Sequence, residues 1–136
     1  MKTLREWIKR KPQTKPLHLS SCRHQSELWA ANWLLKQGLK LLEQNYQIRG
    51  GELDLIMQDE KTLVFVEVRY RQHTQHGSAA ETVDRHKQEK LLRAARHYLQ
   101  QTGSINCNCR FDVLCLFQNR DGSVAYQWYK NAFGEN

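Results

Sequence analysis

The chain reads as an α/β layer structure with a central mixed sheet, and three features predict it. Two apolar, β-branched runs, 52–57 (ELDLIM) and 63–69 (LVFVEVR), flank the polar cluster Gln58-Asp59-Glu60-Lys61, which is the pattern of a β-hairpin. A long segment ending at Gln101 sets Leu91, Ala94, Ala95, Tyr98 and Leu99 at helical spacing. The order of segments is helix, hairpin, helix, strand, strand, which suits helices packed on a sheet.

The first 23 residues hold Pro12 and Pro16 and read as a basic arm, with a short helix over 4–10 and extended chain after Pro16. The domain proper then occupies 24–136. Ser26 is placed to cap a helix over 27–37 that Gly38 ends. On that helix Leu28, Ala31, Leu34 and Leu35 share one side, and Glu27 falls in the same arc, pointing inward. Trp29 and Trp33 lie on another side, where they would cover the arm or a partner.

A short strand over 39–47 follows, and Arg49-Gly50-Gly51 turns the chain into the hairpin. The stretch 71–80 lacks periodicity and reads as a polar loop. The longest helix should start at 80 or 81 and run to 101, ended by Gly103. One of its faces gathers His86, Lys90, Arg93 and His97, while Lys87 projects with Leu91, Ala94 and Tyr98 toward the core and must snorkel or find an acid. Strands over 110–117 and, at an edge, 125–129 complete the sheet.

The hairpin carries the chemistry. With the turn centred on Asp59-Glu60, residue 57 pairs with 62 and 54 with 65, making Asp54 and Glu67 diagonal neighbours. A register slipped by two residues sets them directly opposite. Alternation puts Glu52 and Arg69 on the same face and Leu53, Leu55, Val64, Val66 and Val68 on the other, one face ionic and the other a core. Facing carboxylates in an apolar hairpin require a compensating cation. Arg69 can supply it as a salt-bridged patch, or a hard divalent ion such as Mg²⁺ or Mn²⁺ can.

Composition narrows the classes. The 136 residues suit one core, and no run of about 18 apolar residues suggests a membrane span. A charged N-terminus argues against a signal peptide, so a cytoplasmic protein is expected, off the membrane and without a small-molecule cofactor. The cysteines, Cys22, Cys107, Cys109 and Cys115, contain no C-x-x-C pair and read as reduced structural thiols, and the scattered histidines suggest no ligand set. The net charge is +7, of which residues 1–24 hold +6 through seven basic side chains against Glu6. Such an arm, with Lys9, Arg10 and Lys11 at its centre, attracts phosphate or serves as a solubilising end.

The helix with Glu27 and Ala31, the GELDLI and VFVEVR runs, Lys87 with the Ala-Ala helix, RFDV and the terminal Lys130-Asn131-Ala132-Phe133 together resemble the bacterial YraN-like proteins. That family is placed in the restriction-endonuclease-like, or PD-(D/E)xK, nuclease superfamily, related to archaeal Holliday-junction resolvases. The resemblance covers most of 26–133. It implies a three-layer fold and a metal-dependent DNA endonuclease for branched or damaged DNA, with a catalytically inactive nucleic-acid-binding or adapter protein as the alternative. Implied Mg²⁺ (or Mn²⁺) ligands are Asp54 and Glu67, with Glu27 accessory; the implied catalytic set is Asp54, Glu67, Arg69 and Lys87. Arg69 stands where the superfamily has lysine, and guanidinium is no general base, so either Lys87 replaces it or the metal-bound water reacts without a protein base. DNA is the expected partner, met by Arg49, Arg71, Lys90, Arg93 and the arm, and a homodimer is a candidate assembly.

Overall fold

The computed structural model describes residues 25–72 and 83–134. The arm with Lys9, Arg10 and Lys11, and the expected loop beyond Gln72, lie outside the described residues.

Helix α1 (Gln25–Lys36) opens with Glu27 in its first turn and closes with Lys36 in its last, each charge complementing the helix dipole. It ends as Gly38 takes φ +100°, with Gly38 N–H donating to Leu35 O and Leu39 N–H to Leu34 O, and Leu39 packs beside Leu34. The helix starts two residues earlier than expected, so Ser26 lies inside it, buried, and is not its cap. Its inward stripe is Glu27, Ala30, Ala31 and Leu34, whereas Leu35 is 41% exposed. Paired alanines let the helix lie close on the sheet and turn Leu35 outward.

Strands β1 (Lys40–Ile48), β2 (Gly51–Asp59), β3 (Thr62–Gln72), β4 (Cys109–Gln118) and β5 (Val124–Phe133) form one sheet in that order. All neighbours are antiparallel except β3 and β4, which run parallel and are joined across the sheet face by helix α2 (Arg85–Gln101). The α2 helix begins at Arg85 rather than 80 or 81, because Asp84 caps it, its Oδ1 accepting from Lys87 N–H at 2.8 Å.

Both sheet faces are cores, one under each helix, which makes three layers. Ile56, Leu63, Phe65 and Val113 pack with Leu91, Ala94, Ala95 and Tyr98 of α2. Leu55, Met57, Val64, Val66 and Leu114 pack with Ala30, Ala31 and Leu34 of α1. The expected division into one ionic and one apolar face therefore does not hold. The acidic residues interrupt the α2 layer at one end, and Leu53 joins that layer, so regular alternation fails between residues 53 and 55.

The β2–β3 register is the slipped one: Ile56 pairs Phe65 and Asp59 pairs Thr62, leaving Glu60-Lys61 as the turn. Asp59 stays in the strand because Arg110 Nη2 holds its Oδ2 at 3.0 Å, and Glu60 takes φ 54° with its carbonyl bonded to Gln58 Nε2. Trp29 and Trp33 pack against the α1-side core; the Trp33 ring stacks on Tyr126 at 5.0 Å and meets Trp128 edge-on. Trp33 thus covers β5, which is longer than expected. Asp112, fully buried, takes bonds from Arg110 Nε, Trp128 Nε1 and Asn131 N–H where the β4–β5 register shifts, and so pins the far half of β5.

Candidate active site

Asp54 and Glu67 sit where β2 and β3 part. The ladder between these strands runs from Asp59↔Thr62 to Leu55↔Val66, and the same register continued sets Asp54 opposite Glu67. Past that point Val68 N–H donates to Asp54 Oδ2 at 2.9 Å, so the carboxylate takes a strand N–H. Both acids are buried, at 8% and 6% exposure; Glu67 Oε2 makes no hydrogen bond, and the Asp54 carboxyl is near enough to hydrogen-bond Glu67 when protonated. Burial pushes Asp54 up to about 7, reinforced by the charge of Glu67 and, more weakly, of Glu27, against the Val68 N–H and Lys87. Burial also raises Glu67, against the pull of Lys87 and Arg69.

Lys87, in the first turn of α2, reaches into this end of the sheet. Its Nζ lies 3.3 Å from Glu52 Oε1 and 3.7 Å from Glu67 Oε1, the acid partners that its inward position demands. Gly51 allows that reach: a Cβ there would stand 2.7 Å from the Lys90 carbonyl oxygen and 3.1 Å from Ala94 N, so glycine lets α2 rest on the sheet backbone. Arg69 Nε is 3.7 Å from Glu67 Oε1, on the same oxygen's side as Lys87. Glu27 is 3% exposed, and its charge is felt at Asp54.

Asp54, Glu67, Arg69 and Lys87 thus come together, with Glu27 behind Asp54. Beside them an open groove is lined by Gln47, Gly50, Gly51, Glu52, Lys87 and Lys90. Arg93 borders it but is committed, its Nη1 donating to Gly50 O at 3.0 Å. Arg49 is exposed at the β1–β2 turn, and Arg71 lies half-buried on β3. His97 is tied to Tyr46 OH, so the helix face that gathers His86, Lys90, Arg93 and His97 is not a uniform free stripe.

Sequence reasoning left Glu52 out of the catalytic and ligand sets, although it stands two residues before Asp54 and shares Lys87. The role of Val68 N–H had no side-chain signal. Among the described residues no group of three His, Cys, Asp or Glu side chains is arranged to hold a metal ion. Asp54, Glu67 and Glu27 are the buried carboxylates at this end of the sheet, and Mg²⁺ is commonly held by one or two carboxylates with water completing its shell.

Residues 26–116 match the uncharacterised protein family UPF0102. The chain belongs to that family. It is 47% identical over 109 residues to a UPF0102 protein of Alcanivorax borkumensis, covering 79% of this chain and 87% of the relative. A UPF0102 protein of Vibrio cholerae is 48% identical over 118 residues, 83% of this chain and 94% of its own. One from Pseudomonas putida is 44% identical over 123 residues, 90% and 98% of the two chains. The YraN-like resemblance is borne out at family level, and the UPF0102 match spans Glu27, Glu52, Asp54, Glu67, Arg69 and Lys87. Among the described residues no helix is long and apolar enough to cross a membrane.

Proposed function

We propose that the protein is a Mg²⁺- or Mn²⁺-dependent endonuclease of the restriction-endonuclease-like kind, hydrolysing phosphodiester bonds of branched or damaged DNA. The observation that carries this reading is the buried Asp54 and Glu67 pair at the parting of β2 and β3, with the Lys87 ammonium brought to it by α2. A buried carboxylate with an oxygen lacking a donor fits a hard cation, and Asp54 and Glu67 would hold it, with Glu27 acting through water. Such an ion supplies Lewis-acid stabilisation of the charge that develops on a phosphoryl group.

The remaining work falls to the chain's own groups. Val68 N–H fixes the Asp54 carboxylate, and Glu52 holds Lys87 so that its ammonium sits over Glu67. From there Lys87 can orient a water or a non-bridging phosphate oxygen, the task that lysine two residues after the glutamate performs in the superfamily. Arg69 cannot take a proton but can bind phosphate through its planar fork. Arg49 and Lys90, at the rim of the groove, would follow the flanking backbone, with Arg71 farther along β3.

Arg69 is also the observation that favours the second reading, a nucleic-acid-binding or adapter protein without turnover. One experiment separates them: pure protein with labelled linear, single-stranded and four-way-junction DNA, in Mg²⁺, Mn²⁺ or EDTA. Metal-dependent cleavage lost in Asp54→Asn establishes the nuclease. DNA binding without cleavage of any form establishes the alternative.

A further inference from the structure

A second pocket, of about 460 Å³, opens on the other side of the sheet end, between the start of α1 and the C-terminal ends of β3 and β4. It is lined by Gln25, Ser26, Trp29, Tyr70 and Gln118. Among the described residues none of the lining side chains carries a charge. Trp29 and Tyr70 supply half-buried aromatic surface, and Gln25 and Gln118 supply amide groups. Tyr70 OH donates to Gln118 Oε1 at 2.6 Å, which fixes that amide and leaves its NH₂ as a donor. A flat π-face with a hydrogen-bonding rim is what such a lining complements, and the volume falls in the range of small-ligand sites.

Its place relative to the carboxylates narrows the ligand further. Ser26 lines the pocket and the next residue, Glu27, acts electrostatically on Asp54. Tyr70 is three residues beyond Glu67 on β3, a separation of about 10 Å along a strand. Glu67 and Tyr70 face opposite sides of β3, so a nucleotide adjoining a phosphate held at Glu67 and Lys87 reaches the pocket by passing round the sheet end where β2 and β3 part. A base can enter a pocket between helix and sheet only after leaving its stack, so the base must be unpaired.

We propose that this pocket binds one unpaired nucleobase of the DNA strand whose phosphate lies at Asp54 and Glu67, selecting bulged, mismatched or single-stranded positions. The proposal rests on the nuclease reading for its orientation. Stacking and rim bonds at one base are expected to give about a tenfold preference, which is about 1.4 kcal/mol.

The test uses the native protein in EDTA, where metal-dependent turnover is absent. Its affinity is measured for a duplex with a single-adenine bulge and for the same duplex with an abasic residue in the bulge. The expected result is about tenfold tighter binding of the base-bearing DNA. Trp29→Ala and Gln118→Ala should each shrink that preference while leaving affinity for fully paired duplex unchanged. Equal binding of the two bulges by native protein overturns the proposal, and this comparison needs no variant to fold. Cleavage without base preference sinks the pocket alone. Base preference without cleavage supports the pocket and sinks the nuclease reading, whereas failure to bind any DNA sinks both.

Discussion

Replacing Asp54 by Asn should stabilise the protein above neutral pH and leave it almost unchanged near pH 4. Asn retains an oxygen to accept the Val68 N–H that Asp54 now accepts, so the local geometry survives. What it removes is a charge held beside Glu67 in a buried place. The Asp54 carboxyl is raised from 3.8 to about 7. A raised carboxyl means that the folded state holds its proton more tightly than the unfolded chain, so stability falls as pH climbs from about 4 through about 7 and then levels. Three units at ~1.4 kcal/mol each amount to roughly 4 kcal/mol as an upper figure. The pair titrates as a unit, so about 2–4 kcal/mol is the expected gain for Asp54→Asn at pH 8. For a domain of this size that is roughly a 10 °C rise in Tm. Calorimetry or urea unfolding at pH 4.5, 6 and 8 reads it out. Added Mn²⁺ should raise the Tm of the native protein at pH 8 and not that of Asp54→Asn. Parallel pH profiles for the two proteins would refute the reasoning, because the carboxylate would then bear no excess cost of ionisation.

Lys87→Ala should abolish any cleavage and lower stability by about 1–2 kcal/mol, since Glu52 and Glu67 lose their shared ammonium; Arg69→Lys should raise cleavage if it restores a group able to orient water, both read as single-turnover rates at saturating Mn²⁺. Gly51→Ala should cost about 1–3 kcal/mol, because its Cβ meets helix backbone that cannot give way cheaply; a Tm equal to native would show that α2 does not depend on that contact. Deleting residues 1–20 should flatten the slope of log affinity against log salt for DNA, and an unchanged slope removes the arm from binding.

The layers were legible because the strands are long and β-branched and α2 keeps a clear helical period, and the pairing of Lys87 with an acid followed from its place beside Leu91 and Tyr98. The α1 stripe was not, since burial of Ala30 rather than Leu35 is decided by how closely the helix lies on the sheet. The hairpin register depended on whether Asp59 belonged to turn or strand, and the deciding contact, Arg110, lies 51 residues away. Alternation also hid that the acidic face is a core, because Phe65 and Ile56 flank the same acids. Glu52, Asp54 and Glu67 were visible as residues, but the contacts of Glu52 and Glu67 with Lys87 exist only once α2 docks on the sheet. The acid in RFDV carried no sign of its purpose, which is to hold Arg110, Trp128 and Asn131 in place.

The parallel pairing of β3 with β4 sets an order of assembly. The β2–β3 hairpin closes through a two-residue turn and is a local, microsecond-scale event, whereas Lys87 arrives only when the whole α2 crossover has docked and β4 has found β3. The two acids consequently meet with Arg69 of β3 beside Glu67 but before Lys87 arrives. During that interval Arg69 alone offsets the two carboxylates, so the full set of charges at the site is complete only when α2 has docked.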